Sequence, residues 1–406
     1  MSTVGLLLSC LFLKEALALS GNFWHITDLH WDPTYELSNN PEVVCASSGS
    51  RPAVGAGQFG DYVCDSPWHL INSSVYAMKN ILPDPDFIVW TGDDTPHVPN
   101  EDLGEEAVLN IIHNLTNIIQ EVFPSGFYTE KLLNQPGFRM LVLNTNLYYD
   151  QNMLTQNTAD PAGQFSWADQ VLTEAANNKE KVYIIGHVPP GFFEKKRSKP
   201  WFTPKFNKQY VDLIDRHHSV IAGQFFGHHH TDSFRMFYNT RGSPISTMFL
   251  SPGVTPWETT LPGVVNGANN PGIRVFEYDT QTLLVKDVVT YYLNLTHANA
   301  ATGRWEKEYR LTESFRVPDA SPASMHQVLE RMANNHCYLQ KYYEFNSVNY
   351  DMTDCDSDCR VDHVCAAREV DFDRYEDCLV KEGAASIYGG LLPILSVAVS
   401  LILTKQ

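Results

Sequence analysis

Short runs of β-branched and aromatic residues alternate with longer amphipathic segments through the first half of the chain. The runs that predict strands are NFWHITD, DFIVWTG, RMLVLNT, VYIIGH and VIAGQFFGH. Apolar residues at helical spacing between these runs predict helices over 66–80, 101–122, 164–177 and 204–218. This alternation of strands and helices is typical of an α/β sheet protein.

The pattern changes after residue 230. Further apolar runs follow one another with turns and no long helix between them, namely SFRMFYN, PISTMFLSPG, GIRVFEY and LLVKDVVTYYLNL. This spacing predicts antiparallel or mixed pairing. Residues 321–382 are crowded with cysteines and return to a helical pattern, so we expect a helical, disulfide-bearing subdomain there.

Composition narrows the class of protein. The chain has 406 residues, of which 43% are hydrophobic and 12% aromatic, so it can bury a large core and is not disordered. Its formal net charge is −18, and the segment EKKRSK is its one dense cluster of Lys and Arg. A protein that follows a nucleic-acid backbone needs clustered cations to neutralise phosphates. The composition therefore argues against nucleic acid as a partner.

Residues 1–20 predict a secretory signal peptide. An apolar segment runs over Val4–Leu13, and the small residues Ala18 and Ser20 suit cleavage. Three N-glycosylation sequons agree with this route, and their asparagines are Asn72, Asn114 and Asn294.

The cysteines agree with an oxidising compartment. Cys10 leaves with the signal peptide, and the crowding of the others outside a repeated CxxC zinc pattern favours disulfides. Sequence alone leaves their connectivity open; the pairs that we expect are Cys45–Cys64, Cys355–Cys359 and Cys365–Cys378. Cys337 is left over, which predicts a free thiol.

Residues 383–406 predict a signal for attachment of a glycosylphosphatidylinositol (GPI) anchor. Small residues and a short spacer precede a mostly apolar tail. A membrane-spanning helix needs about 20 apolar residues, whereas this tail is shorter and contains Pro393. A single-span anchor is the alternative.

Four of the predicted strands end in residues of the types that bind metals. These residues are Asp28, His30, Asp93, His187, His228 and His230. Ligands of open α/β sheets gather at the carboxyl ends of strands, so we expect these side chains at one edge. Aspartate oxygens and imidazole nitrogens are ligands of Zn²⁺ and similar divalent metals. In extended DLH and HHH segments alternate side chains face the same way, which directs His228 and His230 to the metal, while His229 points away or supports a ligand.

The motifs D-x-H, G-D, G-H and G-H-x-H, in this order, resemble those of the calcineurin-like dinuclear metallophosphoesterases. The sequences around these motifs resemble those of the acid sphingomyelinase-like phosphodiesterases. They are HITDLHWDPTY, GHVPPGFFE, GQFFGHHHTDSFRM and SPGVTPW. The resemblance covers residues 20–380 except for one segment. It implies a four-layer α-β-β-α metallophosphoesterase sandwich over 21–320, followed by the helical subdomain over 321–382.

The resemblance also implies a role for each candidate residue. Asp28, His30 and His230 are expected to hold one zinc ion and His187 and His228 the other, with Asp93 bridging. Two such ions, about 3.5–4 Å apart, activate water for attack on phosphorus. His97 matches the position that gives a proton to the leaving group. A loop histidine in solvent is the alternative for His97.

One motif of the family is absent. A G-N-H-D or G-N-H-E sequence, whose Asn completes the second metal site and whose His assists catalysis, does not occur between Asp93 and His187. We therefore expect an internal deletion near 124–139, large enough to remove a strand and a helical stretch. The second metal would then bind weakly. Loss of a strand from a sheet interior would also leave unpaired backbone groups, which are costly when buried.

The leading hypothesis is a glycosylated zinc phosphodiesterase that is GPI-anchored on the outer face of the plasma membrane and monomeric. Its implied substrates are phosphodiesters such as choline phospholipids or nucleotide derivatives. The absent motif favours a rival, a catalytically impaired splice variant that acts as a surface-anchored binding protein or has no function. A phosphomonoesterase on the same scaffold is a third hypothesis.

Overall fold

The computed structural model describes residues 20–123 and 137–383. The predicted signal peptide, the segment predicted to carry the deletion and the predicted attachment signal lie almost entirely outside these residues. All three therefore stay predictions.

Ten strands in the described residues form two sheets. They are β1 (Ser20–Ile26), β2 (Phe87–Trp90), β3 (Phe138–Val142), β4 (Lys181–Ile185), β5 (Ile221–Phe226), β6 (Ser233–Tyr238), β7 (Pro244–Leu250), β8 (Gly272–Asp279), β9 (Val285–Leu293) and β10 (Trp305–Arg310). The first sheet has the order β10-β9-β8-β1-β2, and the second has the order β3-β4-β5-β7-β6. Every pairing made by β6, β8, β9 or β10 is antiparallel, and the others are parallel. The mixed pairing predicted after residue 230 is confirmed.

Helices cover the outer faces of both sheets. Within the described residues they are α1 (Trp68–Ile81), α2 (Glu105–Val122), α3 (Gln164–Asn178), α4 (Pro204–His217), α5 (Leu295–Ala300), α6 (Leu311–Phe315), α7 (Pro322–Asn334), α8 (His336–Asn346), α9 (Ser357–Arg368) and α10 (372–383). α1 and α2 pack on the first sheet, and α3 and α4 pack on the second. The four predicted helices and the four-layer α-β-β-α class are confirmed.

Adjacent residues of β1 show how the layers are held together. Phe23 faces the second sheet, and its ring centroid lies 5.2 Å from that of Phe225. Trp24 faces the opposite way and is buried with Leu70 of α1 and Leu115 of α2. Successive side chains of a strand point to opposite faces, so one strand contributes to two cores. Full burial of each large apolar side chain contributes about 1.5–3 kcal/mol.

The sequence pattern did not predict β10. Its sequence, WEKEYR, has four charged residues and two aromatic ones, and it lies at an edge of the first sheet. Charge on an edge strand discourages pairing with another chain. The same charge removes the apolar signal from which strands are predicted.

The strands that flank the segment predicted to carry the deletion are both edge strands. β2 ends the first sheet and β3 ends the second. In the described residues each sheet is continuous through its five strands. This order does not test where a further strand would pair, so the expected opening of a sheet interior stays a prediction.

The C-terminal helices cover the second sheet near β6 and β7, with α7 on β7 and α9 on β6.

The three expected disulfides are confirmed, and they are Cys45–Cys64, Cys355–Cys359 and Cys365–Cys378. Cys337 is free and exposed. Among the described helices, none combines the length and hydropathy needed to cross a lipid bilayer.

Glu308, on the edge strand β10, is half-buried, and both of its carboxylate oxygens are buried. The register shifts between Lys307 and Tyr309, so Glu308 is the extra residue of a β-bulge. Neither of its carboxylate oxygens has a hydrogen-bond partner among the described residues. Burial raises the pKa of Glu308 well above its ordinary value, and Arg274 of β8 opposes this only in part. The protonated form therefore suits this position.

We expect Glu308→Gln to raise the melting temperature at pH 7.5 and to leave it unchanged near pH 4.5. A carboxyl with a raised pKa in the folded state contributes stability that is complete below its unfolded pKa of about 4.3 and is lost as pH rises through the folded value. Gln is neutral at every pH, so the variant should gain about 1–3 kcal/mol at neutral pH. The other titratable groups that interact with Glu308 are Tyr292 and Tyr309.

Thermal unfolding of both proteins at the two pH values measures this effect. Glu306→Gln, at a side chain that is 52% exposed, is the matched control and should change stability little at either pH. The same shift for Glu308→Gln at both pH values would contradict the prediction.

Candidate metal centre

The candidate metal centre lies where two strands of each sheet end. β1 and β2 belong to the first sheet, and β4 and β5 belong to the second. The residues that follow these four strands, in chain order, are Asp28, His30, Asp93, His187, His228 and His230. The centre therefore spans the junction between the sheets.

The six side chains form two groups that share Asp93. Potential ligand atoms lie within 4.8 Å of one another in the first group, Asp28, His30, Asp93 and His230, and in the second group, Asp93, His187 and His228. Oδ2 of Asp93 is 3.3 Å from Nε2 of His30 and 3.0 Å from Nε2 of His187. The structure thus brings together all six residues that were singled out from the sequence.

Five of these residues have a left-handed backbone conformation. Their φ values are 49° for Asp28, 40° for His30, 63° for Asp93, 72° for His228 and 58° for His230. The expectation that DLH and HHH are extended segments is therefore wrong. Two ligands in each segment face the centre because the chain turns at both of them. Such conformations cost about 1–3 kcal/mol each and persist where surrounding contacts hold them.

Hydrogen bonds hold these turns against one another. The backbone N–H of Asp28 donates to the carbonyl of Gly92 at 2.9 Å, and that of His30 donates to the carbonyl of Asp93 at 3.1 Å. The backbone N–H of His228 donates to Oδ1 of Asp28 at 3.0 Å. The carboxylate of Asp28 thereby connects the first sheet to residues 228–230 of the second, which we call the histidine loop.

Further contacts orient individual ligands. Nδ1 of His30 lies 2.6 Å from the carbonyl oxygen of Thr95, to which it donates a hydrogen bond, so Nε2 is the nitrogen that faces Asp93. Thr27 donates to Oδ2 of Asp28 at 2.6 Å. Contacts of this kind fix the tautomer and the orientation of metal ligands.

The charge states suit a cation. Burial lowers the pKa of His228 and of His230 well below the ordinary value, so both rings are neutral and have a lone pair to offer. Burial alone would raise the pKa of Asp93, but His30 and His187 hold it well below its ordinary value. Burial alone would lower the pKa of His30, but the Asp93 carboxylate raises it to about 10. The negative charge of Asp93 therefore attracts a proton or a metal ion.

An unpaired nitrogen provides an independent test of whether a metal fits. Nε2 of His228 is buried and has no hydrogen-bond partner among the described residues. A buried polar atom without a partner costs about 1–3 kcal/mol. Coordination to a metal removes this cost, so the donor set fits a metal centre.

His97 lies beside the first group and is restrained on three sides. Its Nδ1 is 3.0 Å from Oδ1 of the buried Asp65, and its backbone N–H donates to Oδ2 of the same carboxylate at 2.6 Å. Its ring stacks on Trp257 with a centroid distance of 3.7 Å and on His30 with a distance of 4.1 Å. Because Nδ1 of His97 faces Asp65, Nε2 is the ring nitrogen available to exchange a proton with a substrate.

His229 points away from the two groups. Its Nδ1 lies 3.2 Å from Oε2 of Glu194, and both side chains are buried. The three consecutive histidines thus face two different environments.

Comparisons with known proteins show the family of this chain. Residues 243–385 match the family described as the acid sphingomyelin phosphodiesterase C-terminal region. Acid sphingomyelinase-like phosphodiesterase 3b of Mus musculus is 54% identical, over 92% of this chain and 92% of its own. The chain belongs to the acid sphingomyelinase-like phosphodiesterases.

Two other members of this family give similar coverage. Acid sphingomyelinase-like phosphodiesterase 3b of Homo sapiens is 53% identical over 94% of this chain and 95% of its own. Cyclic GMP-AMP phosphodiesterase SMPDL3A of Rattus norvegicus is 37% identical over 88% of this chain and 92% of its own. Phosphodiester hydrolysis is the activity that these names share. Together with the convergent Asp and His side chains, family membership indicates a metal-dependent phosphodiesterase.

Sequence reasoning missed several residues of this family member's site. Asp65 and Trp257 restrain His97, and the rings of Tyr149 and Trp201 lie 5.4 and 4.4 Å from that of His228. Asp65 lies in a loop 32 residues before His97. No local pattern marks a contact over that separation, so no signal in the sequence could have found it.

Proposed function

We propose that this chain is a zinc-dependent phosphodiesterase with a dinuclear centre. The observation that carries the proposal is the pair of ligand groups that share Asp93. A shared carboxylate keeps two ions close together, as in enzymes that displace a phosphate oxygen with water. Metal ions so placed neutralise phosphate charge and make water nucleophilic near neutral pH.

Zinc is the metal that this donor set favours. Four imidazoles and two carboxylates suit Zn²⁺, whereas Mg²⁺ and Ca²⁺ prefer ligand sets made of oxygens alone. In the proposed assignment one ion is held by Asp28, His30 and His230, the other by His187 and His228, and both by Asp93.

We propose that His97 gives a proton to the leaving oxygen. A general acid needs a fixed position within hydrogen-bond reach of the leaving group. One ring nitrogen of His97 lies within 4.8 Å of ring nitrogens of His30 and His230, and its side chain is only 28% exposed. Asp65 and Trp257 prevent the ring from turning into solvent, which argues against the alternative of a free loop histidine.

The names of the relatives support two substrate chemistries. Sphingomyelinase-like proteins point to choline phospholipids, and cyclic GMP-AMP phosphodiesterase points to nucleotide derivatives. We propose a phosphodiester of one of these classes as the substrate. The shared word phosphodiesterase argues against the phosphomonoesterase hypothesis.

We also propose that the chain follows the secretory route to the outer face of the plasma membrane and is held there by a GPI anchor. We propose that it is monomeric, with a catalytic domain over 21–320 and a helical subdomain over 321–382. Two features support the route. The three disulfides suit an oxidising compartment. Among the sequon asparagines, Asn294 is exposed and Asn72 and Asn114 are partly exposed.

A second candidate function is that of a catalytically impaired variant that acts only as a binding protein. An alignment of 425 positions with the Mus musculus relative covers 92% of this 406-residue chain, so about fifty aligned positions have no counterpart here. That gap supports the predicted deletion. The second ligand group nevertheless offers three side chains, Asp93, His187 and His228. Three protein ligands suffice for a catalytic zinc whose remaining position is left to water or substrate.

One experiment distinguishes the two candidate functions. Zinc per folded chain and hydrolysis of bis(p-nitrophenyl) phosphate are measured for this chain and for one carrying the Mus musculus segment inserted within 124–136. We expect at least one zinc and measurable turnover in this chain, and two zinc ions with faster turnover after insertion. Less than one zinc and no turnover here, with both restored by insertion, would establish the impaired variant. Neither metal nor turnover in either chain would overturn both proposals.

A further inference from the structure

The buried carboxylate of Glu194, which is 1% exposed, contacts the histidine loop on the side that faces away from the two ligand groups. Its Oε2 lies 3.2 Å from Nδ1 of His229 and accepts a hydrogen bond from Arg235 of β6 at 2.5 Å. Its Oε1 accepts a hydrogen bond from the hydroxyl of Thr231 at 2.7 Å. The carboxylate therefore contacts the chain at His229, between the ligands His228 and His230, and at Thr231, directly after them.

A second set of contacts reaches this point from the C-terminal helices. Asn346, the last residue of α8, is fully buried. Its Nδ2 donates to Oε1 of Glu194 at 2.8 Å and to the carbonyl of Asp232 at 3.0 Å. Its own carbonyl accepts from the backbone N–H of Asp232 at 3.0 Å. One residue outside the two sheets thus makes three hydrogen bonds to the segment that supports the histidine loop.

Several buried atoms around Glu194 have no hydrogen-bond partner among the described residues. They are Nε2 of His229, Nε of Arg235, Oδ1 of Asn346 and Nδ1 of His363. All four side chains are more than nine-tenths buried. Clusters of buried polar atoms of this kind hold ordered water in proteins. The support behind the histidine loop is therefore a polar network that loses several contacts when one member is removed.

We propose that Glu194 and Asn346 are positioning residues for the metal centre, through which α8 sets the geometry of His228 and His230. The left-handed φ angles of the two ligands, 72° and 58°, need contacts that hold them. His229 lies between them and is anchored to Glu194, so its position fixes the turn on each side. The C-terminal subdomain is thereby part of the scaffold of the centre.

This inference rests on the proposed function, because it requires a centre that binds metal. Contacts that orient ligands from outside typically change metal affinity by about 10–100-fold when they are removed. The test is titration of the metal-depleted, full-length chain with Co²⁺, whose visible absorption reports the ligand geometry. We expect Asn346→Ala to weaken Co²⁺ binding at least about 10-fold and to change the spectrum at saturation. Thr231→Val, which removes one donor to Glu194, should have a smaller effect in the same direction.

The matched control is Asn335→Ala at the other end of the same helix. Asn335 caps the N-terminus of α8, where its side chain accepts from the backbone N–H of Cys337 at 2.9 Å. Loss of this cap typically costs about 1 kcal/mol of stability but leaves the Glu194 network intact. We expect the control to lower the melting temperature of the metal-free chain and to leave Co²⁺ affinity and spectrum unchanged.

The outcomes separate the inference from the function on which it rests. Wild-type affinity and spectrum in Asn346→Ala would overturn the inference alone. Equal weakening by Asn335→Ala would also overturn it, because helix stability would then explain the effect. If Asn346→Ala does not fold, unchanged binding in Thr231→Val overturns it. Failure of the wild-type chain to bind Co²⁺ would overturn the proposed function and the inference together.

Discussion

Replacement of Asp93 by Asn is expected to remove metal from both ligand groups and to slow phosphodiester hydrolysis by about 10³-fold or more. Among the described residues, Asp93 is the one side chain that belongs to both groups. Asn keeps the shape of the side chain but removes the negative charge that lies 3.3 Å from His30 and 3.0 Å from His187. A neutral amide oxygen binds a divalent cation more weakly than a carboxylate, so both ions should be lost. Zinc content and turnover of bis(p-nitrophenyl) phosphate measure the two effects.

Asp94→Asn is the matched control for this prediction. Asp94 is the next residue in the chain, and its Oδ1 accepts from Nε1 of Trp90 at 3.0 Å, a bond that an Asn oxygen can also accept. It belongs to neither ligand group. The control should keep its zinc and its turnover. Two zinc ions bound to purified Asp93→Asn would contradict the shared-ligand assignment.

Replacement of Asp65 by Asn is expected to slow hydrolysis in a way that depends on the leaving group. An alkyl alkoxide must be protonated as it leaves, whereas p-nitrophenolate leaves as a stable anion. General acid catalysis contributes about 10²–10⁴-fold, so we expect kcat/KM for an alkyl phosphocholine ester to fall by about 10²-fold. For bis(p-nitrophenyl) phosphate the loss should be less than about 10-fold, because no proton is needed there. His97→Gln should show the same dependence more strongly.

The dependence on the leaving group is what distinguishes positioning of His97 from a general loss of structure. Asp61→Asn provides the control, since Asp61 is a buried carboxylate of the same loop that bonds to the backbone of Gly55 and Val63 and does not contact His97. It should change the two activities by the same factor. Equal losses on both substrates in Asp65→Asn would contradict the assignment of His97 as the proton donor.

Much of the candidate site could be predicted because its residues directly follow strands. Strands with apolar, β-branched sequences are recognised locally, and the carboxyl ends of neighbouring strands meet by the geometry of a sheet. The position of His187 after β4 and of His228 after β5 therefore carried tertiary information. The disulfide pairs could be named for a similar reason, since the partners Cys355 and Cys359 are only 4 residues apart.

The features that were predicted wrongly or missed depend on backbone conformation and on pairing between strands. The left-handed turns at Asp28 and His228 are held by contacts between the two sheets, such as the bond from the N–H of His228 to the Asp28 carboxylate across 200 positions. β10 has a charged sequence and is a strand because β9 pairs with it.

The amino-acid sequence by itself determined the α/β class and the six candidate ligands, and the resemblance of its motifs to a known family implied the four-layer arrangement. It left the disulfide connectivity open. The strands, the helices and the candidate ligands could be recognised because they depend on residue type and on spacing over a few positions. Only the tertiary structure decided that Asp65 restrains His97 and that Asn346 of the C-terminal helices reaches Glu194 behind the histidine loop. The last contact joins residues 152 positions apart. This hydrogen bond between Asn346 and Glu194 forms because the folded chain packs the C-terminal helices against the second sheet. No local preference of either residue predicts it.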